Sequence, residues 1–176
     1  MQIFFSRAGF EPGTRRSGTN PKSLLPGLVV GVAQTGVAVW LMMPGMMLKE
    51  YRSPLGVAET VAAIEKNALA AGWVIPSIVP LDESVRKNGG GELPPVRLVN
   101  ICQPHHAHEI LNEDGNKVVS VMMPCTISVY EKDDGSTYVG VLNAGMMGKM
   151  FGGTVAKVMG GDVAADQKSF ISFVEQ

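Results

Sequence analysis

One uncharged stretch constrains the fold of this chain more than any other feature. From Ser23 to Leu48 the sequence contains no Asp, Glu, Lys, Arg or His. A helix over 24–48 would extend roughly 37 Å at about 1.5 Å per residue, and the hydrocarbon core of a bilayer is about 30 Å thick. We therefore predict a transmembrane helix at 23–48, between a basic tail at 1–22 and a single domain at 49–176.

Small and polar residues interrupt this stretch, and such residues often face another membrane helix rather than lipid. They are Gly31, Gln34, Thr35 and Gly36. A cleaved secretory signal peptide is the competing interpretation, but a small-x-small cleavage site is missing around Trp40 to Leu48. Arg15 and Arg16 match a twin-arginine signal weakly, because Ser, Gly and Thr follow where that signal carries hydrophobic residues.

The distribution of charge predicts the orientation of the chain. Four basic residues and one acidic residue precede Leu48, whereas Lys49 and Arg52 follow it closely. Since basic residues favour the cytoplasmic side, we expect a bacterial inner-membrane protein with a cytoplasmic N-terminus and a periplasmic C-terminal domain. That domain is mildly acidic, so it has no basic surface for a phosphate backbone, and we do not expect nucleic-acid binding.

The domain combines strand and helix signals. A short strand at 50–53 precedes a helix that Ser53 would cap, with Pro54 in its first turn. Further strands are predicted at 73–79, 96–102, 125–131 and 137–142, a loop at 82–95, and helices after Asn143. We therefore expect an α+β fold in which a small sheet with antiparallel pairs carries helices on one face.

Several segments carry a resemblance to a known family. They read YRSPLGVAETVAAIEKNALAAGW, VRLVNICQP, SVMMPCTISVYEKDDGSTYVGVLN and GMMGKMFGG. Together they resemble the domain-of-unknown-function 302 family over nearly all of 50–176. The resemblance implies a compact α+β fold that is able to dimerise, and it brings no established activity and no catalytic residues. The function must therefore be argued from the site.

A cluster of cysteine and histidine is the candidate site. Cys102 and all three histidines of the chain, His105, His106 and His108, lie within seven residues. His105 and His108 are one helical turn apart if a helix begins at Pro104. Thiolate and imidazole are ligands of copper, zinc and iron.

A second cysteine follows two methionines. Cys125 begins the first hairpin strand after Met122, Met123 and Pro124, and an antiparallel pairing with 96–102 would bring it near Cys102. Thiolates and thioethers together select Cu(I). We therefore predict a metal site of Cys102, His105, His108 and Cys125. Copper and non-covalent haem are the cofactors considered, with His105, His106 and Met123 as cofactor-binding residues.

Other interpretations of the same residues stay open. Cys102 and Cys125 would form a structural disulfide in an oxidising compartment, or act as a redox-active or sulfur-carrying thiol pair. A cysteine hydrolase is disfavoured, because no orienting carboxylate is visible. The leading hypothesis is a membrane-anchored periplasmic accessory module that binds a soft metal or haem, or that is a subunit of a respiratory or sulfur-handling membrane complex. We expect a non-enzyme rather than an enzyme. The expected assembly is a homodimer or a larger membrane complex. A non-catalytic interaction subunit and a thiol-transfer protein are the alternatives.

Overall fold

The structure is a computed structural model that describes residues 21–174, without the side chains of 21–29, 40 and 42–44. The predicted basic tail at 1–22 therefore lies almost entirely outside the described residues. The chain divides into two units, of which the first ends at Leu41 and the second begins at Met42.

The uncharged stretch forms helix α1, Pro21–Met47. Within this helix the Thr35 hydroxyl donates a hydrogen bond of 2.8 Å to the carbonyl of Gly31, so this polar side chain is satisfied by its own backbone. No helix formed by the described residues is both long enough and apolar enough to cross a membrane. The predicted helix is present, whereas its role as a membrane span stays a prediction.

The second unit is built on a five-stranded sheet in the order β1-β5-β4-β3-β2, and every neighbouring pair is antiparallel. The strands are β1 Leu48–Arg52, β2 Val74–Pro80, β3 Val96–Cys102, β4 Cys125–Glu131 and β5 Thr137–Leu142. The predicted α+β fold is therefore confirmed. The ranges predicted for β3, β4 and β5 agree with the observed strands.

Helical segments fill the connections between these strands and the C-terminal part of the unit. They are α2 Val57–Ala70, α3 Leu81–Lys87, α4 Pro104–Leu111, a 3-10 helix Asp114–Met122, α5 Ala144–Phe151, α6 Gly153–Lys157, a π-helix Val158–Val163 and α7 Ala164–Phe170. Their buried side chains, such as Ile64, Ile110 and Phe170, pack in one core with alternate residues of the central strands. Valine and isoleucine fit such positions because a β-branched side chain packs well on a pleated surface.

The residues between those core positions point to the other face of the sheet and are polar. Asn100 accepts a hydrogen bond from Thr126 and donates one to Ser77. Glu50 accepts hydrogen bonds from the Tyr130 hydroxyl and from Lys132. One face of the sheet is therefore covered by helices and the other is polar, which is typical of an antiparallel sheet.

Two local predictions are wrong. Helix α2 begins at Val57 after Gly56, not at Pro54, because the Ser53 hydroxyl bonds the Thr60 hydroxyl and the Leu55 amide instead of capping the helix. The predicted loop at 82–95 begins as helix α3. Acidic residues in its first turn and basic residues in its last turn suit the helix dipole, and these signals were outweighed by the glycines that follow.

Candidate functional site

The two cysteines lie at the same end of the sheet. Cys102 ends β3 and Cys125 begins β4, and the antiparallel register places Ile101 directly opposite Cys125. Both cysteines line one pocket between the sheet and α4, which we call the thiol pocket. Its other principal lining residues are Trp73, Ile101, His106, Met123 and Met159. The predicted approach of Cys125 to Cys102 is therefore present.

The thiol pocket is small. Its volume is about 20 Å³. A cavity of roughly 10–15 Å³ is enough for one water molecule. The pocket therefore has room for a single water or ion, and a haem macrocycle does not fit.

Both thiols are free in this structure. Burial raises the pKa of the Cys125 thiol from 9.0 to about 11, and the negative charge of Cys102 adds to this shift. A thiol with so high a pKa is protonated at neutral pH and is a poor nucleophile. A metal ion that binds the Cys125 thiolate must therefore displace this proton.

His106 forms part of the pocket wall. Its ring lies edge-on to Trp73, with 6.1 Å between the ring centroids. Its Nδ1 atom is buried, and among the described residues it is the one buried side-chain nitrogen or oxygen without a hydrogen-bond partner. The Trp73 ring is fixed in turn, because its indole N–H donates a hydrogen bond of 2.9 Å to Asp166. An unpaired nitrogen therefore lies in the wall of the pocket that holds both thiols.

The other two histidines lie outside the thiol pocket. His105 and His108 are exposed, although α4 begins at Pro104 as predicted. On the same helix Glu109 accepts a hydrogen bond of 2.9 Å from Lys157, and this bond is the main reason that the pKa of Glu109 lies below its usual value. In the described part of the chain, no three His, Cys, Asp or Glu side chains are grouped closely enough to hold a metal ion. The predicted set of Cys102, His105, His108 and Cys125 is therefore not brought together.

Methionine side chains line the cavities next to Cys125. Met123 lines the thiol pocket as predicted, and Met159 lines both this pocket and another small cavity that Cys125 also lines. Met122 lines that second cavity too, which has a volume of about 40 Å³. Three methionines therefore share cavity walls with Cys125.

The thiol pocket therefore contains some of the predicted metal ligands and some of the predicted cofactor-binding residues. Cys102 and Cys125 come from the predicted metal ligands, and His106 and Met123 come from the predicted cofactor-binding residues. Trp73 and Met159 were missed. A signal for His106 was present, since it lies four residues before the buried Ile110 and so shares its helical face. No local signal connects Met159 with a cysteine so distant in sequence.

Comparison with known proteins supports the family resemblance. The family model described as Domain of unknown function DUF302 matches residues 49–173. A solved structure described as an uncharacterized conserved protein DUF302 from Bacillus stearothermophilus has 21% sequence identity and a TM-score of 0.64. The match covers 74% of this chain and 99% of the other, and at this identity it shows the fold alone. No curated protein matches.

Proposed function

This chain belongs to the DUF302 family, and we propose that its thiol pocket binds one Cu(I) ion. The family is one of unknown function, so the proposal rests on the residues of this chain. Cys102 and Cys125 supply two thiolates, and Met123 supplies a thioether. The observation that carries this proposal is the presence of both free thiols and the Met123 side chain in the wall of one ion-sized pocket. Soft sulfur ligands of this kind select Cu(I).

The choice of metal follows from the ligand types and from their number. Structural zinc sites have four protein ligands and catalytic ones three, drawn from cysteine, histidine and carboxylates. The described residues bring together no group of three such side chains. Cu(I) accepts fewer ligands and takes thioethers, and Met159, which also lines the thiol pocket, provides a further thioether.

Copper binding agrees better with the state of the thiols than the alternatives do. Thiol transfer by Cys125 would need a reactive thiolate, whereas burial raises the pKa of this thiol to about 11. An interaction subunit stabilised by a disulfide needs the two sulfurs joined, whereas both are free here. A metal ion replaces the thiol protons on binding, so the affinity for Cu(I) should rise with pH.

A competition titration tests the proposal. The full chain in mild detergent is titrated anaerobically with Cu(I) against a chelator of known affinity. We expect one Cu(I) per chain, with strong loss in Cys102→Ser and in Cys125→Ser, and a smaller loss in Met123→Leu. His105→Ala is the matched control, because this exposed histidine lies outside the thiol pocket. Equal affinity in wild type and in a variant lacking both cysteines would end the proposal.

We further propose that the segment at 23–48 tethers this domain to the inner membrane, with the domain in the periplasm. Support comes from the absence of charge between Ser23 and Leu48, and from the Thr35 hydroxyl, which is satisfied within the helix. The full chain should resist extraction from membranes by alkaline carbonate, and a variant with Val32→Arg and Val37→Arg should be released. Release of both proteins would contradict the tether.

A further inference from the structure

A third and larger cavity lies under the edge of the sheet, between β1, β5, α5 and α7. We call it the lysine cavity. Its volume is about 320 Å³. Its polar lining residues are Lys49, Tyr51, Asn143, Gln167 and Lys168. Small-molecule sites are typically about 300–1,000 Å³ in volume and combine a few polar groups with an apolar wall. The cavity therefore has the size of a ligand site.

The charge of the lysine cavity is positive. Lys49 faces the helix-covered side of the sheet, as its cross-strand partner Val141 is buried in the core, and Lys168 reaches the cavity from α7. No acidic residue lines the cavity, and neither lysine forms an ion pair with any residue that the structure describes. This is unlike the rest of the chain after Leu48, where acidic residues outnumber basic ones. Two ammonium groups without a protein counter-charge favour an anionic ligand.

Some neutral polar groups of the cavity already form hydrogen bonds within the protein, and others do not. The Asn143 side chain is occupied, since it donates to the Met46 carbonyl and accepts from the Met146 amide. The Tyr51 hydroxyl and the Gln167 amide form no hydrogen bond with the described residues. These two groups are therefore available to a ligand beside the two lysines.

The inner wall of the cavity is apolar. Val141, Ala144 and Ile171 line it and are almost fully buried. Ala144 and Gln167 also line the small cavity beside Cys125, where Leu142 and Met159 add further apolar surface. An aliphatic chain on this wall would therefore remove apolar surface from water at both partners.

From these observations we propose that the lysine cavity binds a small organic anion with a short aliphatic chain. The carboxylate or sulfonate lies between Lys49 and Lys168 within reach of Tyr51 and Gln167, and the chain lies on Val141 and Ile171. Charge-assisted hydrogen bonds to the ammonium groups hold the anionic end. This site is separate from the thiol pocket and does not depend on copper.

Titration calorimetry with hexanoate tests this proposal. The full chain in mild detergent is titrated with hexanoate, and with hexylammonium, acetate and inorganic phosphate as probes that lack the negative charge or the chain. We expect saturable binding of hexanoate, weaker binding of acetate and phosphate, and none of hexylammonium. The double variant Lys49→Gln, Lys168→Gln should bind hexanoate at least about tenfold more weakly.

Lys66→Gln is the matched control, because Lys66 is an exposed lysine on α2 that lines none of the three cavities. Its affinity for hexanoate should equal that of the wild type. The proposal is overturned if wild type shows no saturable binding, if the double variant binds as well as Lys66→Gln, or if hexylammonium binds as tightly as hexanoate. Circular dichroism of each variant confirms that the fold is retained.

Discussion

The thiol pocket and the lysine cavity lie at the same end of one sheet and on the same face, yet they differ in almost every physical property. The thiol pocket has a volume of about 20 Å³, and two cysteines and two methionines line it. The lysine cavity has a volume of about 320 Å³, and two lysines and two available hydrogen-bonding side chains line it. One fold has therefore produced a small, sulfur-rich site and a large, positively charged one from neighbouring strands.

The position of each strand in the sheet explains this difference. Strands β3 and β4 have a neighbour on both sides, and α4, the 3-10 helix and the π-helix cover their ends, so that space there is small. Strand β1 is an edge strand and pairs only with β5, so its residues reach solvent. A buried group loses the stabilisation of its charge by water, whereas an exposed lysine keeps it.

Truncation of one isoleucine in each region should give the largest effect. Ile101 lines the thiol pocket and Ile171 lines the lysine cavity, and both are almost fully buried. Ile→Ala substitutions cost about 2–5 kcal/mol of unfolding free energy, depending on how far the site can relax or fill. We expect Ile101→Ala in the upper half of this range and Ile171→Ala in the lower half, since water already reaches the space beside Ile171.

Urea unfolding of the two variants measures this contrast, with equal slopes required for a valid comparison. The exposed substitution Val74→Ala on edge strand β2 is the control, and its cost should be much smaller. A larger loss for Ile171→Ala than for Ile101→Ala would show that the lysine cavity is the more tightly packed region. The expected difference in packing between the two regions would then be reversed.

The pH dependence of stability should show the next largest effect. The pKa of Cys125 is about 11 in the folded protein against an ordinary value of 9.0, so the unfolded chain loses this proton first as pH rises. Stability is therefore fully retained below pH 9 and falls between pH 9 and 11. The complete loss for this one group, reached above pH 11, is roughly 3 kcal/mol, at about 1.36 kcal/mol per pKa unit.

The variant Cys125→Ala separates the contribution of Cys125 ionisation from that of other groups that titrate at high pH. We expect the wild type to lose roughly 2 kcal/mol more than this variant between pH 9 and 11 in urea unfolding. Alkylation of Cys125 by iodoacetamide should rise over the same interval, because the thiolate is the nucleophile. Parallel pH profiles for the two proteins would mean that the Cys125 thiol is not desolvated.

Much of the fold could be predicted from the sequence, because its signals are local. Alternating side chains on either side of Gly135 specify the hairpin of β4 and β5, and this glycine adopts a positive φ of 77° in the turn. Helix α3 was missed because its seven residues precede three glycines, and a short helix next to a flexible composition reads as a loop. Here the dipole-compatible charges of α3 were the better indicator.

The candidate site was predicted only in part, because the face that a helix buries is decided by tertiary packing. The sequence places His105 and His108 one turn apart, and they do lie on one helix, but this face is exposed. His106 is on the buried face, where it meets Trp73 and the cysteines. The lysine cavity gave no sequence signal at all, since Lys49 and Lys168 are far apart in the chain and meet only through β1 and α7.

Asp166 on α7 should give the smallest effect, and it tests whether the two regions act separately. Its carboxylate accepts the hydrogen bond of the buried Trp73 indole at the thiol pocket, while the next two residues line the lysine cavity. Asp166→Ala removes the acceptor and should cost about 1 kcal/mol, because this partly exposed position lets water replace it. Asp166→Asn retains an acceptor oxygen and should cost less.

The two regions can then be read independently in the same proteins. Trp73 fluorescence should change in Asp166→Ala and much less in Asp166→Asn, since only the former frees the indole N–H. The affinity for hexanoate should stay at the wild-type value in both, because Asp166 does not line the lysine cavity. A parallel loss of hexanoate binding in Asp166→Ala would instead mean that α7 couples the thiol pocket to the lysine cavity.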